Sequence, residues 1–280
     1  MNKLNTIERA KVVSVLVEGT SLRATARITG VARMTIEKLL RDLGAACERF
    51  HNERVTGLKA TRVQCDEIWA FIGAKEKNAT AEQKAAGWGD VWTWTGMDAD
   101  SKLMISWLVG ERSQHAANAF MSDVAARLTN RVQLSTDGNA VYLVAVDHAF
   151  GVDVDYGMMQ KIYTGEGGGR YSPAKFVGAT KRTVTGEPNP RHISTSYIER
   201  QNLTMRMHMR RFTRLTNGFS KKLEMHVLNV ALHFTYYNFC KIHQTLRVTP
   251  AMEAGISDHV WGIEELIAVL DTEGAYSQAS

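Results

Sequence analysis

The stretch TRVQCDEIWAFI, residues 61–72, decides the reading of the fold. It is rich in β-branched and aromatic residues and predicts a strand. Inside it sits Asp66, a charge that is costly within an apolar strand unless it is paired or binds a cation. Working outward, DVWTWTGM (90–97) and LMISWLV (103–109) predict two more strands, turning through Asp98-Ala99-Asp100-Ser101. Between the first two lies a polar, Ala- and Lys-rich insertion, Gly73 to Gly89. Ser113 to Leu128 predicts a helix with a stripe of Ala119, Phe120, Val124 and Leu128, and RVQLST (131–136) a short strand ending at Asp137-Gly138-Asn139. A helix over Ala140–Phe150 and a strand over Asp155–Tyr163 follow. Gly165 to Pro190 reads as loop, including Gly167-Gly168-Gly169, which lacks the Lys-Ser/Thr of a P-loop. Long helices are expected from Ser194 or Thr195 to about Thr216 and from Lys222 to Cys240. Three strands joined by short turns form an antiparallel meander, and helical crossovers add parallel strands. The expected fold is α/β, a mixed sheet flanked by helices.

Upstream, the first 45 residues predict three short helices. Asn5-Thr6 caps the first and Gly19 ends it; Thr20-Ser21 caps the second, Leu22–Ile28; the third runs from Arg33 to Leu43 and closes at Gly44. The string SLRATARITGVARMTIEKLLRDLG has the pattern of a helix-turn-helix, whose last helix presents Arg33, Met34, Thr35, Lys38 and Arg41 outward. An α-helix fits the major groove, so Arg33, Thr35 and Lys38 are candidate DNA contacts. The domain plan is a helix-turn-helix over 1–45, a charged linker over 46–60 that starts helical and is broken by Gly57, a catalytic domain over 61–240 and a C-terminal segment over 241–280.

Composition sets limits on function. Of 280 residues, 44% are hydrophobic and 22% charged, with a net charge of +5. Those proportions are those of an ordinary globular protein. No apolar run is long enough to span a membrane, and the first residues lack the apolar core of a signal peptide. Three widely spaced cysteines exclude a disulfide framework and a Cys-rich zinc site and point to the cytoplasm. Basic charge is concentrated: Arg200 to Lys222 holds seven Lys and Arg residues and no acid.

Three acids carry the candidate chemistry. Asp66 lies in the first strand, Asp137 at the end of the fourth, and Glu199 in the first turns of the long helix. If the first and fourth strands are neighbours, the three converge. Such carboxylates repel one another unless hard divalent cations neutralise them, and two Mg²⁺ ions about 4 Å apart support in-line phosphoryl displacement. Glu67 rivals Asp66, because adjacent strand residues face opposite sides. Asp98, Asp100, Asp147 and Asp153, at turns or termini, are expected to be solvated. Arg206, seven residues after Glu199, shares its helical face.

Taken together, CDEIWAFIG (65–73), GDVWTWTGMDADSK (89–102), STDGN (135–139), SYIERQNLTMRMHMRR (196–211) and YNFCKIHQTLRVTPAMEAG (237–255) resemble the DDE transposases of bacterial insertion sequences, and most closely the compact insertion-sequence-one branch. The resemblance implies a ribonuclease-H-like fold, Asp66, Asp137 and Glu199 as catalytic metal-binding triad, two Mg²⁺ ions with Mn²⁺ as a substitute, and Arg206 as a DNA contact. It implies cleavage at the terminal inverted repeats followed by strand transfer. It also implies double-stranded DNA as partner, both element ends and target, a homodimer or larger assembly on DNA, and a cytoplasmic, nucleoid-associated location without membrane or small-molecule cofactor. Lys181, Arg182, Arg200, Arg210 and Arg211 are then phosphate contacts. Some relatives carry a Cys-rich zinc module, but this chain has no CxxC. Two rivals remain: a helix-turn-helix regulator without catalysis, and a ribonuclease-H-like nuclease without strand transfer. A Ser or Tyr recombinase is disfavoured, since no Arg/His cluster accompanies Ser196 and Tyr197.

Overall fold

A computed structural model of the chain describes residues 4–164, 175–213 and 217–276. The chain divides into two compact units, one of residues 57–68 and 93–201, the other of 1–56, 69–92 and 202–280. Among the described residues no helix is long and apolar enough to cross a membrane.

The first unit is built on a mixed sheet. Its strands are β1 (Arg62–Ile72), β2 (Gly89–Asp98), β3 (Met104–Gly110), β4 (Gln133–Asp137), β5 (Asp155–Thr164) and β6 (Lys175–Thr185), in the order β3-β2-β1-β4-β5-β6; β1 and β2 give residues to both units. The Ala99 amide donates to the Arg62 carbonyl and the Thr95 hydroxyl to the Asp66 carbonyl, so β2 runs opposite to β1. β4 pairs parallel with β1 and with β5, and β6 returns antiparallel to β5. Asp98 is buried rather than solvated: it accepts from the Ser101 hydroxyl at 2.5 Å and the Asp100 amide at 3.0 Å, closing the β2–β3 turn.

Helices α5 (Gln114–Ala126) and α6 (Val141–Phe150) make the β3–β4 and β4–β5 crossovers, and α7 (Ser196–His208) follows β6. Trp94, Phe120 and Tyr142 are fully buried, Trp94 meeting Phe120 at 6.1 Å and Tyr142 edge-on at 5.6 Å. Two expectations fail here. Residues 175–185, read as loop, form β6; it lies at the sheet edge, is exposed along most of its length, and so shows no alternating pattern to read. The Gly167-Gly168-Gly169 loop lies outside the described residues. The α7 helix stops at His208 instead of Thr216, because Met209 turns extended (φ −130°, ψ 101°) ahead of a single 3₁₀ turn, Arg210–Phe212, that buries Phe212 against the His226 ring at 4.9 Å.

The second unit is mainly helical: α1 (Thr6–Val17), α2 (Leu22–Thr29), α3 (Arg33–Arg54), the short α4 (Ala81–Ala85), α8 (Leu223–Phe239), α9 (Pro250–Glu253) and α10 (Ile263–Tyr276). Asn5 and Glu8 form a reciprocal capping box. Ser21 caps α2 through the Ala24 amide at 3.2 Å. Gly30 (φ +75°) ends α2 in the left-handed region, which glycine enters without a Cβ penalty. The α3 helix does not close at Gly44 but runs on to Arg54. Gly44 is needed for packing: a Cβ there would sit 2.5 Å from the Leu228 carbonyl oxygen. The α8 helix is buried nearly all round, which makes it the centre of this unit's core.

Candidate metal centre

The β1–β4 register sets the site. Gln64 pairs with Ser135, and two residues further along parallel strands Asp66 comes beside Asp137. Ligand oxygens of Asp66, Glu67 and Asp137 lie within 4.8 Å of one another. Burial, then the charges of Asp137, Glu67 and Glu199, pushes the Asp66 carboxyl up to about 7. Burial and the charge of Glu67 push Asp137 up to about 6, although the Asn139 amide, donating at 3.0 Å, pulls the other way.

Glu67 differs in kind. Its side chain is 1% exposed, yet its oxygens are fully engaged. One accepts from Arg112 at 2.6 Å and from the Asn139 side-chain amide at 2.8 Å; the other accepts from the Tyr142 hydroxyl at 2.9 Å. Burying a charge this deeply is tolerable because Arg112 pairs with it and two neutral donors complete its shell. Glu67 and Asp66 are thus not alternatives for one role: Asp66 carries a raised pKa with like charges beside it, whereas Glu67 is a compensated neighbour that ties α6 and the β3–α5 connection to the site.

Glu199 is near enough to raise both aspartates, but it stands outside the close cluster. One of its oxygens accepts from the Thr195 hydroxyl at 2.5 Å and the other pairs with Lys161 of β5. Its helix is fixed by Gln64, whose side-chain oxygen accepts the Tyr197 amide at 2.9 Å and the Ile198 amide at 3.2 Å. Two donors that the first turn of a helix leaves without an intrahelical partner are satisfied in this way. Lys102 lies over the Tyr197 ring at 3.4 Å.

The donor set suits a hard divalent cation. It is all oxygen, it brings ionisable carboxylates together, and the raised pKa values of Asp66 and Asp137 come from burial first and from neighbouring negative charge second, both of which a bound cation would offset. Asp66 and Asp137 would hold such a group; Glu67 is as close but already fully engaged, and Glu199 stands outside the cluster.

The candidate basic residues lie on several elements of the two units. Arg33 and Lys38 are exposed and Thr35 half-buried at the start of α3; Lys38 pairs with Asp42 at 2.5 Å. Lys181 and Arg182 are exposed on β6, Arg200 and Arg210 are exposed, and Arg206 is half-buried. Arg211 donates to Asn229 at 2.9 Å and Ser220 at 3.2 Å, and burial lowers its pKa to about 10. Sequence reasoning did not single out Arg112, Tyr142 or Lys161. Only Lys161 left a signal: it lies two residues beyond Met159, the β5 partner of Asp137, and so on the same face.

No protein-family model matches the chain, and no curated protein matches it. Among solved structures it is similar to the piggyBac transposase in a synaptic complex with hairpin DNA, at 10% identity and a TM-score of 0.44, over 96% of this chain and 71% of that one.

Proposed function

We propose that this chain is a DDE transposase of a bacterial insertion sequence, of the insertion-sequence-one type, with a ribonuclease-H-like catalytic sheet. The observation that carries the reading is the meeting of Asp66 and Asp137 on adjacent parallel strands, with carboxyl groups raised toward neutrality by burial and by neighbouring negative charge. The motifs that resemble the family supply the rest.

In this reading Asp66, Asp137 and Glu199 hold Mg²⁺ or Mn²⁺. When bound, the metal supplies Lewis acidity at the phosphoryl group and lowers the pKa of water. Lys161 and Thr195 hold Glu199 in a defined position before DNA arrives, and Arg112 pairs with Glu67 beside the two aspartates. Arg33, Thr35 and Lys38 contact the element ends; Lys181, Arg182, Arg200, Arg206, Arg210 and Arg211 serve phosphates. Water cleaves the phosphodiester at each end to leave a 3′-OH and a 5′-phosphate, and that 3′-OH then attacks a target phosphodiester, displacing the target strand's own 3′-oxygen as a hydroxyl. The helices over 1–45 act as the helix-turn-helix reader, and the chain works as a dimer or larger assembly on DNA in the cytoplasm.

The test is a strand-transfer assay on DNA carrying the inverted repeats that flank the coding region. Wild-type protein with Mg²⁺ gives cleaved ends and joined products, and Asp66→Asn gives neither while still binding the ends. Cleavage without joining makes the chain a nuclease; binding without either makes it a regulator.

A further inference from the structure

Three aromatic side chains form a row in the helical unit. Trp69 and Phe71 lie two residues apart on β1, hence on one face. Their ring centres are 5.6 Å apart. Phe219 continues the row, stacked on Phe71 at 4.9 Å with 30° between the planes. Backbone contacts fix this neighbour: the Gly73 amide donates to the Ser220 carbonyl at 2.8 Å, and Ile72 and Ser220 form an isolated parallel bridge. Gly73 (φ +69°) has the Trp88 ring where a Cβ would be. Only glycine fits that turn out of β1, because it alone lacks a Cβ and enters positive φ freely.

The row is not core. All three rings are half-exposed, and an ammonium sits at either end: Lys75 lies 5.4 Å from the Trp69 ring centre and Lys221 4.0 Å from that of Phe219. Phe219 and Lys221 also line a cleft of about 1090 Å³ that reaches Arg33 at the start of α3. Among the described residues its charged lining is six Lys and Arg side chains against a single acid, Glu37. Flat rings beside a concentrated positive charge suit a ligand with flat rings on a negative backbone. Stacking a base on an exposed ring gains more than the cation–π contact it displaces, and the freed lysine moves to a phosphate.

We infer that Trp69, Phe71 and Phe219 form a stacking platform for unpaired bases of single-stranded DNA, whose phosphates continue into the basic cleft. It rests on the DNA-binding part of the proposed function and not on the carboxylates. The test uses the full chain in EDTA, which removes metal-dependent cleavage, and a fluorescent oligothymidine of about 15 nucleotides. Phe219→Leu is expected to weaken binding roughly 5- to 100-fold while changing duplex binding far less. Lys221→Ala with Lys222→Ala is expected to make log affinity depend less steeply on log salt. Oligothymidine is expected to quench tryptophan emission in wild type and not in Trp69→Phe, a readout that stands if Phe219→Leu fails to fold. Wild type that does not bind oligothymidine, a folded Phe219→Leu of undiminished affinity, or equal losses on single strand and duplex would each overturn the inference. A chain that binds single strands through these rings but neither cleaves nor joins DNA bears it out and sinks the transposase reading alone.

Discussion

At the scale of single residues, the two strand carboxylates and their buried neighbour have opposite signatures. Asp66→Asn or Asp137→Asn removes a buried charge beside like charges, so without metal each variant should melt no lower than wild type at pH 7.5; if the site takes Mg²⁺, wild type should melt higher with the ion and each variant should lose that rise. A variant that melts far lower would mean that Asp66 or Asp137 is held by pairing and not by a cation. Glu67→Ala removes the acid paired with Arg112 and leaves the Tyr142 hydroxyl and the Asn139 amide without this acceptor. It should cost at least about 2 kcal/mol in urea unfolding, with or without Mg²⁺. The sequence made Asp66 and Asp137 legible because each breaks a local rule, a charge within a strand and a charge at a strand end. It could not separate Glu67 from Asp66, since alternation assigns faces but not partners, and the partners of Glu67 come from residues 45 to 75 positions away.

At the scale of elements, glycine positions test packing against propensity. In an exposed helix Gly→Ala stabilises by about 1 kcal/mol. Gly44→Ala should do the reverse and lower the melting temperature, because the new methyl group meets the backbone of α8. A stabilised variant would mean that α3 and α8 separate without penalty. The same contact explains why the end of α3 was misread: glycine is a helix terminator by its backbone, but here it serves close approach, which only the partner helix reveals. The strands β1 to β5 and the crossover helices α5 and α6 were legible because each has a buried face, whereas α4, in the insertion between β1 and β2, buries nothing and was not. The edge strand β6 was not, since exposure removes the pattern.

At the scale of the whole molecule, two kinds of buried group titrate in opposite directions. Raised carboxyl groups bind protons in the folded chain that the unfolded chain has lost, so Asp66 and Asp137 make stability fall as pH rises from about 4 to about 7. Burial holds the His226 and His233 imidazoles neutral, with pKa values near 3. They therefore make stability fall as pH drops below about 6.5, where the unfolded chain takes up protons that the folded chain refuses. Urea midpoints measured against pH should therefore gain from Mg²⁺ at pH 8 and hardly at all at pH 5, while His226→Phe should flatten the acid side. A Mg²⁺ effect equal at both values would place the ion elsewhere. If the chain binds DNA as proposed, affinity should fall steeply with salt, because phosphate contacts would release counterions; titrations at two ionic strengths check this, and a flat response removes the basic residues from the interface.

Gln64 has a consequence for heat tolerance. Its neutral amide anchors the opening peptides of the helix that bears Glu199, two positions along the strand from Asp66. If Glu199 acts in catalysis, fraying of those two bonds on warming would swing it away while the sheet stayed intact. Activity would then fade several degrees before the far-ultraviolet dichroism changed, and the working ceiling of the protein would be set by an uncharged side chain that takes no part in the chemistry.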